Sequence, residues 1–171
     1  DVKMVEVSGR RAADKDIVDT AVAAGQFLPW IDRLGWSARL DIAMLENCLT
    51  HLKLHPQPLA LSLSGQTLRD AESQARLLQI LRNNPQKNGL LTLELDQRHM
   101  PSPAQLEQLS QSVRACGYKL GMQHFAGNFK LIGNLANLGV AYLKIDGSYI
   151  RAIDQEADKR TFIEALYRAA N

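Results

Sequence analysis

The sequence predicts an α/β fold of the (β/α)8 barrel type, present as a fragment of about five βα units. Short apolar segments alternate with helical patterns along the chain, which is typical of a parallel sheet covered by helices. Polar residues gather at the end of each predicted strand, as on the rim of a barrel. No glycine-rich phosphate loop follows the first strand, which disfavours the alternative, a doubly wound dinucleotide-binding sheet.

The predicted strands are residues 3–8, 58–64, 91–96, 119–124 and 141–146. Apolar residues at three- and four-residue spacing predict helices over 37–54, 68–83, 103–115, 128–138 and 155–170, with a short helix within 27–35 that ends at Gly35. Ser102, Pro103 and Gln105 form a capping box with proline at the first helical position. Gly139 is expected to end the fourth of the longer helices and Asp154 to cap the last.

Composition excludes several classes of protein. A net charge of +2 over 171 residues gives no field that would indicate a nucleic-acid partner. Cys48 and Cys116 lie far apart on apolar helical patterns without a Cys/His cluster, so we expect buried, reduced thiols rather than a disulfide or a zinc site. No signal peptide and no apolar run of about 18 residues is present, so this segment is not expected to span a membrane.

The strand-end residues are the candidate site, because the carboxyl ends of barrel strands form one rim. They are Glu6 and Ser8, Ser62 and Ser64, Glu94 and Asp96, Gln123 and His124, and Lys144 and Asp146. From the residues alone, Gln123 and His124 are also compatible with ordinary polar strand ends, and Lys144 with a structural ion pair to Asp146 or Glu94.

Six segments in the same order resemble motifs of the EAL domain, a bacterial module that binds and often hydrolyses cyclic di-GMP. They are residues 27–35 (FLPWIDRLG, similar to FIPLAEETG), 40–41 (LD), 61–64 (LSLS, similar to VNLS), 93–97 (LELDQ, similar to LELTE), 123–127 (QHFAG, similar to DDFGTG) and 142–150 (YLKIDGSYI, similar to YLKIDRSFV). Residues 6–10, EVSGR, stand where the family has EALLR. The resemblance implies that residues 1–171 are a partial EAL domain without the family's first strand and last βα units. Because open sheet edges are costly, we expect either further residues of the domain or association with a second copy.

Residues 132–139 and 144–156 resemble more closely receptors of the LapD type, which are inner-membrane proteins with degenerate GGDEF and EAL domains. In those receptors cyclic di-GMP binds without being cleaved and controls biofilm adhesion through a conformational change. The resemblance therefore implies a cytoplasmic domain of a membrane-anchored bacterial protein, with the parent's other domains as partners.

The family's hydrolysis uses two divalent ions, and the resemblance places its pair of metal-holding aspartates at Gln123 and His124. Ser62 stands at an asparagine ligand position and Gln97 at a glutamate that steadies the loop over the metals. Glu6, Glu94 and Asp146 keep carboxylates. This comparison predicts that the domain is not an enzyme and has no catalytic or metal-binding residues.

Binding needs less than hydrolysis, because the two phosphates of the ligand require mainly cationic donors. The resemblance assigns phosphate contacts to Arg10 and Lys144, although Arg10 alone is also compatible with a solvated charge. We therefore expect cyclic di-GMP as the ligand, no required cofactor, and a ligand-binding set comprising Glu6, Arg10, Ser62, Glu94, Gln123, His124, Lys144 and Asp146. The alternatives are a protein-interaction module without nucleotide and, least favoured, an active phosphodiesterase.

Overall fold

The computed structural model describes residues 24–151 and 155–170. Its strands are β1 Leu59–Leu63, β2 Leu91–Asp96, β3 Lys119–Phe125 and β4 Val140–Ile145. Its helices are α1 Ala24–Arg33, α2 Ser37–Leu54, α3 Gly65–Arg69, α4 Ala71–Asn83, α5 Pro103–Ala115, α6 Phe129–Ile132, α7 Leu135–Leu138, α8 Gly147–Ile150 and α9 Ala157–Ala170, with a 3-10 turn at Gln97–His99. The predicted strand 3–8 and the capping residue Asp154 lie outside the described residues.

The four strands form one parallel sheet in the order β1-β2-β3-β4. Strand order follows chain order, which is the arrangement that successive βα units produce in a barrel wall. The predicted α/β fold with a parallel sheet is confirmed, and all four described strands lie at the predicted places. Their carboxyl ends share one edge of the sheet.

Leucine-rich strands and the inward faces of the helices make the core. All six residues of β2 are buried, as is typical of a central strand covered on both faces. Buried leucines of α2, α4 and α5 share one cluster with the strand residues. The two cysteines, Cys48 and Cys116, lie in this cluster as free thiols, which confirms their predicted burial.

Helix boundaries follow the capping chemistry of the sequence. Ser102 and Gln105 make the predicted capping box of α5, with Pro103 in its first turn. Gly139 adopts a φ of +56 directly after α7, so the predicted helix end is also confirmed.

Two predicted helices are divided. The predicted helix 68–83 breaks at Asp70, where the backbone is extended. The Asp70 side chain accepts from the Ser73 amide and so caps a new helix. The predicted helix 128–138 is two short helices on either side of Gly133 and Asn134. Apolar spacing continues across both breaks, which is why periodicity alone missed them.

The last helix docks on the carboxyl end of β3 through one buried ring. Phe162 of α9 is fully buried and stacks on Phe125, with ring centroids 5.6 Å apart. Phe129 and Tyr149 meet the same ring edge-on at 5.2 and 5.0 Å. In this way α9 is tied to the segments that follow β3 and β4. No helix among the described residues is long and apolar enough to cross a membrane.

Candidate functional site at the carboxyl ends of the strands

Glu94 is the centre of a polar cluster on the sheet. Its side chain is almost completely buried, and its Oε1 accepts from Lys144 Nζ at 2.6 Å and from the Tyr142 hydroxyl. Its other oxygen, Oε2, accepts from Ser62 Oγ at 3.2 Å. Three predicted site residues, Ser62, Glu94 and Lys144, are thus brought together. The ion pair between Lys144 and Glu94, which was one of the alternatives that the sequence left open, is present.

The surroundings of Glu94 keep it ionised. Burial by itself raises the pKa of this carboxyl, because the charged form loses its hydration. Hydrogen bonds from Lys144, Tyr142 and Ser62, together with the charge of Lys144, outweigh burial, so the pKa lies below its ordinary value. The pKa of the Tyr142 hydroxyl shifts in the other direction. Burial, and after it the hydrogen bond to the Glu94 carboxylate, raise this pKa.

Tyr142 and Gly121 are site residues that sequence reasoning missed. Gly121 pairs with Glu94 on one side and with Tyr142 on the other, so all three share one row across the sheet. A Cβ at Gly121 would lie 2.6 Å from Cζ of Tyr142. The signal available in the sequence was a glycine inside a strand, which often marks a close approach by another group.

Gln123 and His124 lie at a bulge at the end of β3. Met122 pairs with Leu143 and Phe125 with Ile145, so these two residues stand opposite Lys144 alone. His124 has a φ of +54, a left-handed conformation that is uncommon for a residue with a side chain. Because of this bulge, Gln123 and His124 do not follow the regular alternation of side chains along a strand.

The imidazole of His124 is paired with Asp146. His124 Nδ1 lies 3.1 Å from Asp146 Oδ2, and it is the donor because an ionised carboxylate only accepts. Asp146 Oδ1 accepts from the Ser148 amide at 2.8 Å and so caps α8. Hydrogen bonds from Ser148, and after them from His124, hold the pKa of Asp146 well below its ordinary value. The side chain of His124 remains 41% exposed at the strand end.

Gln97 holds the turn after β3. Its amide accepts from Ala126 N at 2.6 Å and donates to Ala126 O at 3.1 Å. A carboxylate at this position could accept but not donate. Gln97 therefore steadies this turn without a charge.

Arg98 adds a cation that the sequence reasoning did not select. Its guanidinium is bidentate on Asp96, with Nη2 to Oδ2 at 2.6 Å and Nε to Oδ1 at 3.0 Å. Burial raises the pKa of Asp96, but the bonds from Arg98 more than offset this and lower it. The Arg98 side chain is 58% exposed, so its remaining donors are accessible beside the strand ends.

Among the described residues, most of the groups at the positions of the family's two-ion centre already have protein partners. Both oxygens of Glu94 are used by protein donors, and positions 123 and 124 supply an amide and a paired imidazole. Within 24–151 and 155–170, no three His, Cys, Asp or Glu side chains are grouped so that they could hold a metal ion. Glu6 and Arg10 lie outside the described residues.

A groove of about 460 Å³ lies between the start of α5 and the helices α6 and α7. One of its lining residues, Asn128, follows the end of β3 and caps α6 by accepting from the Leu131 amide. Its lining is mainly apolar, with Met100, Leu106 and Leu138 at its wall. An anionic phosphodiester is better matched by the cations at the strand ends than by this mainly apolar lining.

Comparisons with known proteins agree with this architecture. The family model of the EAL domain matches residues 12–171. Among curated proteins, the cyclic di-GMP phosphodiesterase PdeF of Escherichia coli is 23% identical over 141 residues, which cover 79% of this chain and 19% of the relative. The chain therefore spans about a fifth of the length of that relative.

Solved EAL structures show the same fold. The S helix-GGDEF-EAL portion of Vibrio cholerae LapD, without ligand, has a TM-score of 0.73 at 19% identity. The match covers 87% of this chain and 37% of the LapD chain. The FimX EAL domain of Pseudomonas aeruginosa bound to cyclic di-GMP has a TM-score of 0.67 at 21% identity, with 86% of this chain and 61% of that chain covered.

These comparisons confirm the EAL resemblance and the barrel-type fold, and correct one prediction. The prediction that the domain is not an enzyme is wrong, because the curated relative is by name a phosphodiesterase and the EAL family model matches. That reasoning rested on the replacements at positions 123 and 124, together with those at Ser62 and Gln97. Carboxylates remain at three other strand-end positions, Glu94, Asp96 and Asp146.

Proposed function

The chain belongs to the EAL domain family, and we propose that it is a cyclic di-GMP receptor that binds the nucleotide at the carboxyl ends of its strands. One observation carries this proposal. The Lys144 ammonium lies 2.6 Å from Oε1 of the buried Glu94, and the Lys144 side chain is 36% exposed. An ammonium has three donors, so this geometry leaves others for a phosphate oxygen.

Polar groups next to Lys144 supply further hydrogen-bonding partners for the nucleotide. Gln123 offers an amide and His124 a partly exposed imidazole beside Lys144, and Arg98 adds accessible guanidinium donors. Ser62, Glu94 and Asp146 act mainly by orienting these groups. Glu6 and Arg10 complete the proposed ligand-binding set by their family positions. Support also comes from the FimX EAL domain, whose structure was solved with cyclic di-GMP.

Binding at these residues has direct routes to the segments around the site. Asp146 accepts from His124 and also caps α8, and Gln97 clamps the peptide at Ala126 just before α6. A ligand that changes the orientation of His124 is therefore expected to shift Asp146 and the start of α8. We propose this displacement as the conformational signal of the receptor, since a ligand changes an equilibrium only through contacts that differ between its states.

Hydrolysis of the bound nucleotide is the second candidate function. The observation that favours it is the match to a relative named a cyclic di-GMP phosphodiesterase. Hydrolysis and receptor function share the binding step, so both require affinity for the nucleotide.

The testing experiment is calorimetric titration of cyclic di-GMP into the chain, in magnesium and again in EDTA, with chromatography of the recovered nucleotide. Binding of intact nucleotide in both buffers supports the receptor, and appearance of linear product with magnesium supports hydrolysis. Lys144→Met is expected to weaken binding about tenfold or more, because it removes a charge-assisted hydrogen bond. Lys119→Met is the matched control, since Lys119 lies at the opposite edge of the sheet. Absence of heat in both buffers would refute the proposal.

We further propose that residues 1–171 are a partial EAL domain within a longer bacterial inner-membrane protein that controls biofilm adhesion. This placement has the domain on the cytoplasmic side, with the parent's other domains and a second copy of the chain as partners. The LapD-type motifs and the small share of the relatives covered support it. Light scattering of the purified chain, with and without nucleotide, tests the association, and a strictly monomeric mass in both states would contradict it.

A further inference from the structure

Tyr142 reaches a carboxylate that belongs to a strand two places away. Neighbouring strands lie about 4.8 Å apart, so β4 is roughly 9.6 Å from β2, with β3 between them. The Tyr142 hydroxyl nevertheless donates to Glu94 Oε1. Gly121 of β3 makes this contact feasible, because its missing side chain leaves the space in which the tyrosine ring lies.

The register of the strands places these residues in one row. Leu120 pairs with Val140, but the next pair is Gly121 with Tyr142, so Ala141 is an extra residue on β4. A one-residue shift of a strand exchanges the side chains that point to its two faces. The bulge at Ala141 thereby sets Tyr142 rather than Ala141 opposite the glycine.

Tyr142 and Lys144 converge on the same atom of Glu94. Both donate to Oε1, and the Lys144 ammonium lies 5.8 Å from the centre of the tyrosine ring. Ser62 donates to the other oxygen. The carboxylate is therefore held from both sides, and the direction of its Oε1 decides where the ammonium of Lys144 rests.

We infer that Tyr142 is a positioning residue of the nucleotide site: it reaches across Gly121 to orient Glu94, and through Glu94 it fixes Lys144 for an anionic phosphodiester ligand. This inference rests on the proposed function for its ligand, cyclic di-GMP. Tyr142 itself need not touch the nucleotide. Its effect on binding passes through Glu94, which separates it from a tyrosine that only packs the sheet.

The key experiment is a double-mutant cycle in the full 171-residue chain. Tyr142→Phe keeps the ring and removes the hydroxyl that orients Glu94, so we expect the affinity for cyclic di-GMP to fall about fivefold to tenfold. In a Glu94→Leu background no side-chain oxygen is present to accept from this hydroxyl, so Tyr142→Phe is expected to cause no further loss. If Tyr142→Phe lowered the affinity by the same factor in the wild type and in the background with Glu94 substituted, the inference would be overturned.

Tyr118→Phe is the matched control variant. The Tyr118 hydroxyl donates to the Asn84 carbonyl, and the residue precedes β3 at the edge of the sheet opposite the candidate site. Its loss removes one tyrosine hydrogen bond without touching Glu94 or Lys144. Both variants are expected to lower the melting temperature, and only Tyr142→Phe is expected to change affinity. A similar loss of affinity with Tyr118→Phe would overturn the inference.

A second measurement does not depend on the nucleotide. Acetylation of Lys144 by acetic anhydride, followed by mass spectrometry, reports how firmly Glu94 holds the ammonium. Tyr142→Phe is expected to raise the labelling rate of Lys144 about threefold or more and to leave that of Lys119 unchanged. Glu94→Leu is expected to raise the labelling rate of Lys144 at least as much, with no further increase when Tyr142→Phe is added.

The two measurements separate the inference from the proposed function. If the wild-type chain does not bind cyclic di-GMP, the proposed function fails, and the labelling rates alone decide whether Tyr142 positions Lys144. If binding is present but neither affinity nor labelling responds to Tyr142→Phe, the proposed function stands and the positioning role is refuted.

Discussion

Replacing Lys144 by methionine is expected to make stability depend on pH in the direction opposite to that of the wild type. In the wild type, the lowered pKa of Glu94 means that its contacts stabilise the fold fully above the ordinary glutamate pKa, and that this stabilisation is lost as pH falls through the lower folded value. Without Lys144, burial is opposed only by the hydrogen bonds from Tyr142 and Ser62, so we expect the pKa of Glu94 to rise above its ordinary value. The variant then loses stability as pH rises through that raised value.

The size of the effect follows from the exposure of the pair. Breaking a fully buried ion pair costs about 3 to 5 kcal/mol. The Glu94 side chain is 4% exposed but that of Lys144 is 36% exposed, so solvent screening reduces the loss to roughly 2 kcal/mol. For a domain of this size, that corresponds to a fall in melting temperature of about 4 to 8 °C.

Urea unfolding at about pH 5 and about pH 8 measures this effect directly. The deficit of Lys144→Met relative to the wild type is expected to be larger at the higher pH. Adding Glu94→Gln to the variant removes the unpaired charge and is expected to restore part of the stability. A deficit of equal size at both pH values, or no rescue by the second substitution, would refute the reasoning from Glu94.

Three further perturbations test other parts of the site and its support. Gly121→Ala would place a methyl group against the Tyr142 ring and is expected to cost about 1 to 3 kcal/mol in urea unfolding; a neutral result would mean that the ring does not occupy this space. Gln97→Ala removes both bonds to the Ala126 peptide and should speed hydrogen exchange of that amide about tenfold, whereas unchanged exchange would show that the turn is held elsewhere. Phe162→Ala empties the aromatic contact of α9 and is expected to lower the free energy of unfolding by about 3 to 5 kcal/mol, with a loss below about 1 kcal/mol contradicting the docking of that helix.

The sequence by itself determined the order of the elements, because each element leaves a local signature. Short apolar segments marked all four described strands, and the capping box at Ser102 marked the start of α5. The break at Asp70 was missed, since apolar spacing continues through it and only the cap geometry shows where one helix stops. The EAL motifs likewise were local, and they identified the family that the comparisons confirm.

The composition of the site was decided partly by local signals and partly by the tertiary structure. Strand-end position selected Glu94, Gln123, His124 and Lys144, because the ends of parallel strands share one edge of the sheet. Which of these groups touch depends on strand register, and a bulge of one residue is invisible to period and composition. The contact of Tyr142 with Glu94 across Gly121, and the pairing of His124 with Asp146, exist only because two bulges in the pairing of β3 and β4 change which side chains face each other.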